Sequence, residues 1–238
     1  MTITLVTLGI LTVFTTIGSV ATWWILKHGM TDDVALQSPG RKTGRFKDRK
    51  PLIIRNLIGL FVAPAIALPF LEGAFDTHWP GIWVVLWQTT FILLCDDTLF
   101  YWWHRLLHEN KTLYRKIHRI HHKAFAPLPL DYIHVHPVEA GVGALGCIFG
   151  MCMLELALGG INAWSLWGFV IWRQAHELNI HSGLKSLVLH RIFPISPTES
   201  HDLHHARPNS GNYGSLFGFW DLAMGTRATN DARLKSLV

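Results

Sequence analysis

Charge is scarce in this chain, and cysteine is scarcer. Only 16% of its 238 residues are Asp, Glu, Lys or Arg, and the stretch from Ile3 to Leu26 has no charged side chain. The three cysteines, Cys95, Cys147 and Cys152, lie in apolar segments without a metal-type pairing. A disulfide framework and a cysteine-built cluster are thereby excluded. There is no HExxH zinc signature and no glycine-rich dinucleotide fingerprint. No internal repeat of fixed period and no low-complexity tract is present. Lys and Arg are also absent from Glu72 to Trp79 and from Gly159 to Ala163.

What is present is apolar. Half of the residues are hydrophobic and eleven are Trp, a composition that points to the membrane. As a helix, Ile3–Leu26 would extend about 36 Å, against about 30 Å of bilayer hydrocarbon. No basic residue precedes it and no small-residue cleavage site follows, so it is expected to be a retained anchor. Further apolar runs lie at about Asn56–Leu71, Trp79–Cys95, Val138–Leu158 and Ile161–Trp172, giving four to five crossings. Eight Lys and Arg fall from Lys27 to Arg55, six from Arg105 to Lys123 and seven from Arg173 onward, which is all twenty-one. One threading puts every one of them on the same side, and the positive-inside rule makes that side cytoplasmic. The excess charge of +5 is therefore a topology signal, with anionic lipid contact secondary, and nucleic acid is not an expected partner. The expected fold is all-α: a membrane helical bundle with a cytoplasmic, histidine-rich helical cap that holds two metal ions. Residues 1–95 form the anchor and first hairpin, and residues 96–238 hold the metal region with the second hairpin.

Fifteen histidines are placed in a pattern. "HRLLH" contains His104 and His108, "HRIHH" contains His118, His121 and His122, and "HDLHH" contains His201, His204 and His205. Residues three and four apart share a helix face, and neutral imidazole is the commonest protein metal ligand. Adjacent histidines diverge by about 100° on a helix, so each HH pair can address two centres. Eight nitrogens exceed the roughly four that one zinc takes; they suit two ions. His181 is a ninth candidate. Its helical partner is open: Glu177 lies on the same face, but if Glu177 pairs with Arg173, His176 becomes a tenth ligand on a distorted helix. Asp97 shares a stripe with Tyr101, His104 and His108, and is expected to accept the far N–H of a ligating ring, fixing its tautomer. His134 and His136 suit supporting or structural positions, with His136 kept beside Asp97 in the supporting set. His28, His78 and His190 are isolated and read as solvated. Glu139 starts a helix, where the dipole favours an acid.

From about Asp96 to Thr226 the chain resembles the fatty acid hydroxylase superfamily of integral-membrane di-iron oxygenases, which includes sterol desaturases. The resemblance is carried by "DDTLFYWWHRLLH", "LYRKIHRIHHKAFAP", "HPVE", "HSG" and "HDLHHARPNSGNYGSLFGFWDLAMGT". Within the superfamily these segments look most like C4-sterol methyl oxidases, with His176 in "RQAHELNIHSG" a departure from that subfamily. The resemblance implies two iron ions on the histidines, O2 as co-substrate and oxidation of an unactivated C–H bond in a membrane lipid, sterol-like or acyl. All-nitrogen ligation also suits a redox metal. With no dinucleotide or haem-binding motif, electrons must come from a separate protein. A bacterial inner membrane or endoplasmic reticulum would house such an enzyme. Two rivals come from other classes. A haem electron carrier needs histidines facing each other inside the crossings, whereas these gather at helix ends. A zinc hydrolase would use fewer of them.

Overall fold

The structure is a computed structural model in which residues 2–31, 33–36, 46–186 and 195–228 are described. Among them, four helical segments are long and apolar enough to cross a membrane: Thr2–His28, Phe46–Ala74, Ile82–Glu109 and Pro137–Leu158. The first is α1 (Thr2–His28). The second is α2 (Phe46–Leu71) with a short 3-10 turn, and the third is α3 (Ile82–Glu109). The fourth joins α5 (Pro137–Gly143) to α6 (Leu145–Leu158). α7 (Ala163–Ile180) then runs back through the middle of the bundle, packing on α1 and α3. Arg173, Gln174 and Glu177 lower its hydropathy, and those polar groups are sheltered by neighbouring helices rather than offered to lipid.

Outward faces remain apolar. Phe70, Trp83 and Leu156 are 85%, 78% and 82% exposed, which water would penalise and hydrocarbon would not. Inside, Ile92, Leu93, Leu154, Phe169, Leu216 and Phe217 form a core between α3, α6, α7 and the C-terminal segment. A second core joins α1, α2 and α7 through Ile3, Leu68, Leu166 and Trp167.

α6 lies close on α3 because of "GCIFG". A Cβ built on Gly146 would stand 2.6 Å from the Asp96 Cα, and one on Gly150 would be 3.1 Å from the Ile92 Cα. Small residues four apart let membrane helices approach backbone to backbone. At the end of the bundle free of Lys and Arg, the two hairpin turns are tied by a two-residue parallel pairing, β1 (Phe75–Asp76) with β2 (Ile161–Asn162). Asn162 also caps α7, accepting from the Trp164 amide at 2.9 Å, and donates to the His78 carbonyl at 2.8 Å.

At the opposite end, Asn110 closes α3 and opens α4 (Lys111–Lys116), accepting from the amides of Thr112 and Leu113 at 3.0 and 3.1 Å. This sharp turn folds "HRIHH" back under α3. The segment His118–Lys123 is a 3-10 helix rather than the α-helix its spacing suggests. The proline-broken loop beyond it is pinned inward. Arg49 of α2 makes a fully buried two-pronged pair with Asp131, 2.8 and 3.0 Å, and Asn56 donates to the carbonyls of Ile133 and Val135, each at 2.8 Å. α8 (Thr198–Ala206) and α9 (Phe219–Ala223) complete this end.

Candidate metal centre

Nine histidine rings converge there in two groups. His104, His108, His118, His122 and His204 form the first, and His121, His181, His201 and His205 form the second; within each, one nitrogen per ring lies within 4.8 Å of the others. Each adjacent pair is split as the sequence implies: His122 and His204 face the first group, His121 and His205 the second. All the rings are buried except His108, which is half-buried.

The tautomers of five rings follow from their partners. Carbonyl and carboxylate oxygens only accept, so any ring nitrogen bonded to one must carry the hydrogen. His104 Nδ1 donates to the Tyr213 carbonyl (2.7 Å), His204 Nδ1 to Gly211 (2.8 Å), His205 Nδ1 to Ala124 (3.0 Å) and His181 Nδ1 to Glu177 (2.9 Å). His118 Nδ1 donates to the Glu139 carboxylate at 2.7 Å. In the four bonded to backbone carbonyls, and in His118 when Glu139 is ionised, Nε2 is left with a bare lone pair. Yet His104 Nε2 and His118 Nε2 lie 3.0 Å apart. With Glu139 ionised neither has a hydrogen to offer, and the approach is then repulsive unless a cation lies between them. His204 Nε2 is buried and has no hydrogen-bond partner. In the second group, His201 Nε2 is 3.0 Å from His181 Nε2 and 3.1 Å from His205 Nε2. The donor set therefore fits a metal ion in each group.

Burial favours the neutral, ligating form of these rings. Loss of solvation pulls His204 down to about 4. The same loss, aided by the Arg173 charge, brings His181 down to about 3. His118, His121, His122, His201 and His205 are pushed well below the ordinary histidine value, by burial first and then by neighbouring imidazoles.

The segment after α8 supplies much of this geometry. Gly211 has φ +98°, and a Cβ there would stand 2.0 Å from the Thr226 carbonyl oxygen; only glycine fits. Asp221 of α9 gathers the same loop, accepting from the amides of Tyr213 (2.9 Å) and Gly214 (2.8 Å) and from the Thr226 hydroxyl (2.7 Å).

A family model described as fatty acid hydroxylase matches residues 89–226, more than half of the chain. The chain belongs to the fatty acid hydroxylase family. The matched span contains all nine converging rings. Among curated relatives, the chain is similar to the methylsterol monooxygenase erg25B of Aspergillus fumigatus, 32% identical over 158 residues, 64% of this chain and 52% of that protein. The erg25A protein of the same fungus is 36% identical over 164 residues, 68% of this chain and 54% of that one. The very-long-chain aldehyde decarbonylase GL1-8 of Oryza sativa subsp. indica is 33% identical over 160 residues, 63% and 54%. The chain thus spans about half the length of the curated relatives it matches. No solved structure matches.

Three expected members of this fatty acid hydroxylase site are placed elsewhere. His176 lies outside both groups, its Nε2 donating to the Ser215 carbonyl at 3.0 Å; on a regular α7 its ring points away from His181. Glu177 does pair with Arg173, which in turn reaches Asp96 at 3.0 Å. Asp97 reaches no imidazole: its Oδ1 accepts the Leu216 amide at 2.7 Å. The stripe argument had the right face but the wrong length, since seven residues span about 10 Å along a helix. His136 caps α5, its Nδ1 accepting from the Val138 amide at 3.1 Å, and leaves the rings to Glu139. His134 is buried outside both groups, whereas His28 and His78 are exposed. His190 lies outside the described residues. Glu139 is the residue that sequence reasoning missed. Its signal was "HPVE", in which a proline-started helix carries an acid inward in its first turn.

Proposed function

We propose that this chain is an O2-dependent oxygenase of the membrane that hydroxylates or desaturates a C–H bond of a lipid, sterol-like or acyl. The observation that carries the proposal is the convergence of nine rings, eight of them buried, with oxygen partners on the Nδ1 of five that leave the Nε2 lone pairs facing one another. Two iron ions would be held by the first and second groups, supplying the redox chemistry that lets O2 attack an unactivated carbon. Zinc could occupy such rings but would not change oxidation state. A haem carrier suits the site poorly, because donors this close leave no slot for a macrocycle.

The chain's own residues prepare the site in three ways. Backbone carbonyls at 124, 177, 211 and 213 hold ring hydrogens on Nδ1, and the Glu139 carboxyl stands at the Nδ1 of His118. Burial keeps the imidazoles neutral and excludes bulk water, which protects an oxidising centre from side reactions. Position selects the substrate: His104 and His108 end a membrane-crossing helix beside Phe100, Tyr101, Trp102 and Trp103, residues suited to the hydrocarbon–headgroup boundary. A lipid entering sideways can keep its polar end at the surface while its carbon skeleton reaches the rings. Methylsterol monooxygenases among the relatives favour a sterol or related terpenoid; aldehyde decarbonylases there keep the acyl class in view. The metal end is assigned to the cytoplasm, and the electrons to a separate redox protein.

The test is direct. Purified protein should contain about two irons per chain and, given a reductant, isotopically labelled O2 and total lipid extract, should place label in a lipid product. Label found solely in products of a water-soluble metabolite pool, or a preparation loaded with zinc and inert to O2, would overturn the reading.

A further inference from the structure

The ring cage is sealed at every member but one. His108 is half-buried while the other eight rings are buried, so the cage comes nearest to water there. Tyr114 of α4 stands over that opening, half-buried, its ring centroid 5.4 Å from His108, 6.1 Å from His122 and 6.2 Å from His118. Around this point the surface is strongly basic. Between residues 105 and 123 there are six Lys and Arg and one acid, Glu109. Lys111, Arg115, Lys116, Arg119 and Lys123 are exposed, and Glu109 is already engaged by Arg105 at 2.7 Å. Among the other described acids of this end, Asp131 turns onto Arg49, Glu199 onto Ser186 and Asp221 onto the amides of residues 213 and 214, whereas the exposed Asp33 and Asp48 belong to the segment after α1 and to α2.

We propose that the basic face of α4 and the following 3-10 helix, centred on Tyr114 over His108, is the docking surface for an acidic one-electron carrier protein. This rests on the redox reading of the metal centre. The positive-inside rule accounts for basic residues at this end of the bundle, but not for their gathering around the one half-buried ring. Electrons cross protein most readily where donor and acceptor approach closest, and complementary charge raises encounter rates by about 10- to 1,000-fold. At each docking the carrier is oxidised by one electron and an ion of the first group is reduced by one, with no bond made or broken.

The experiment uses the full chain in nanodiscs of neutral phosphatidylcholine and, as the probe, an acidic plant-type ferredoxin. Affinity is measured across a salt series, and anaerobic reduction of the bound metal is followed with reduced ferredoxin and with methyl viologen. The triple reversal Lys111→Glu, Arg115→Glu, Lys116→Glu is compared with Lys47→Glu, Lys50→Glu, which reverses exposed charges of the same end on α2. The expected result is at least about tenfold weaker and less salt-dependent binding in the triple variant, and less than about twofold change in the α2 pair. Ferredoxin-driven reduction should slow in parallel, while viologen-driven reduction stays unchanged. Equal losses in both variants would overturn the proposal, showing only diffuse charge attraction. So would wild-type ferredoxin affinity in the triple variant, or an effect that appears only when anionic lipid is present, which would assign the face to headgroups. Failure of viologen to reduce the wild-type metals would instead sink the redox reading, and the affinity comparison would still judge the face.

Discussion

At the scale of single residues, Glu139 supplies the one carboxylate within hydrogen-bond distance of a converging ring among the described residues. Four rings donate to backbone carbonyls, and His118 donates to a carboxylate. When ionised, that carboxylate would make His118 the strongest donor of its group; in the second group the nearest counterpart is the Glu177 carboxylate, 3.6 Å from His181 Nδ1. Glu139→Gln keeps an acceptor but removes the charge. It is expected to weaken metal binding by the first group about 10- to 100-fold, leaving the second loaded; chelator competition followed by metal analysis would give one ion per chain instead of two. Asp97→Ala should act differently. It strips the Leu216 amide of its acceptor, a loss of about 1–3 kcal/mol, so thermal unfolding should shift down before metal affinity does. Eight of the nine converging rings were legible as clusters because imidazoles three and four apart are rare unless used together, and His181 was expected beside them. Their supporting partners were not. A backbone carbonyl 109 residues away from His104 leaves no mark in side-chain identity, and Asp97 looked the better candidate only because it shared a helix with two of the rings.

At the scale of elements, the apolar runs disclosed the crossings and the proline-broken loop, since both follow from local composition. The 3-10 winding of His118–Lys123 escaped, because it is imposed by the turn at Asn110 and the pull of two ring groups. The α3–α6 contact was also written in "GCIFG", though composition alone does not say which helix it meets. Gly146→Ala should push α6 off α3 and strain the Asp96–Arg173 pair behind it. The expected cost is about 1–3 kcal/mol, seen as a lower melting temperature in detergent. Gly9→Ala, on a face of α1 with nothing within 4 Å, is the matched control and should leave melting unchanged.

For the whole molecule, the neutral rings make acid a specific hazard. His204 and His181 stay unprotonated in the fold down to about 4 and about 3, whereas an unfolded histidine takes up its proton near 6.5. Between those values the unfolded chain binds more protons than the fold, so stability falls as pH falls, by about 1.4 kcal/mol per unit for each such ring. Above about pH 7 the penalty is absent. Melting temperature measured from pH 8 to pH 4 should drop most steeply below 6.5, with metal release in the same window; a flat profile would contradict the buried, neutral cage. Orientation is a property of the molecule as well. A C-terminal reporter is expected to be active on the cytoplasmic side, because one threading of the apolar runs puts all twenty-one Lys and Arg on a single side.

The carbonyls of Gly211 and Tyr213 have a consequence in time. His104 and His108 leave the ribosome about a hundred residues before the segment that orients His104, and α3 can be in the bilayer by then. Until residues 211–213 have been made, the early histidines are free to turn, and the lone pairs that attract a metal are not yet aimed. Biosynthesis thus delivers the membrane bundle first and the aimed rings last. A nascent chain halted before Gly211 would be inserted yet unable to assemble the five-ring cage.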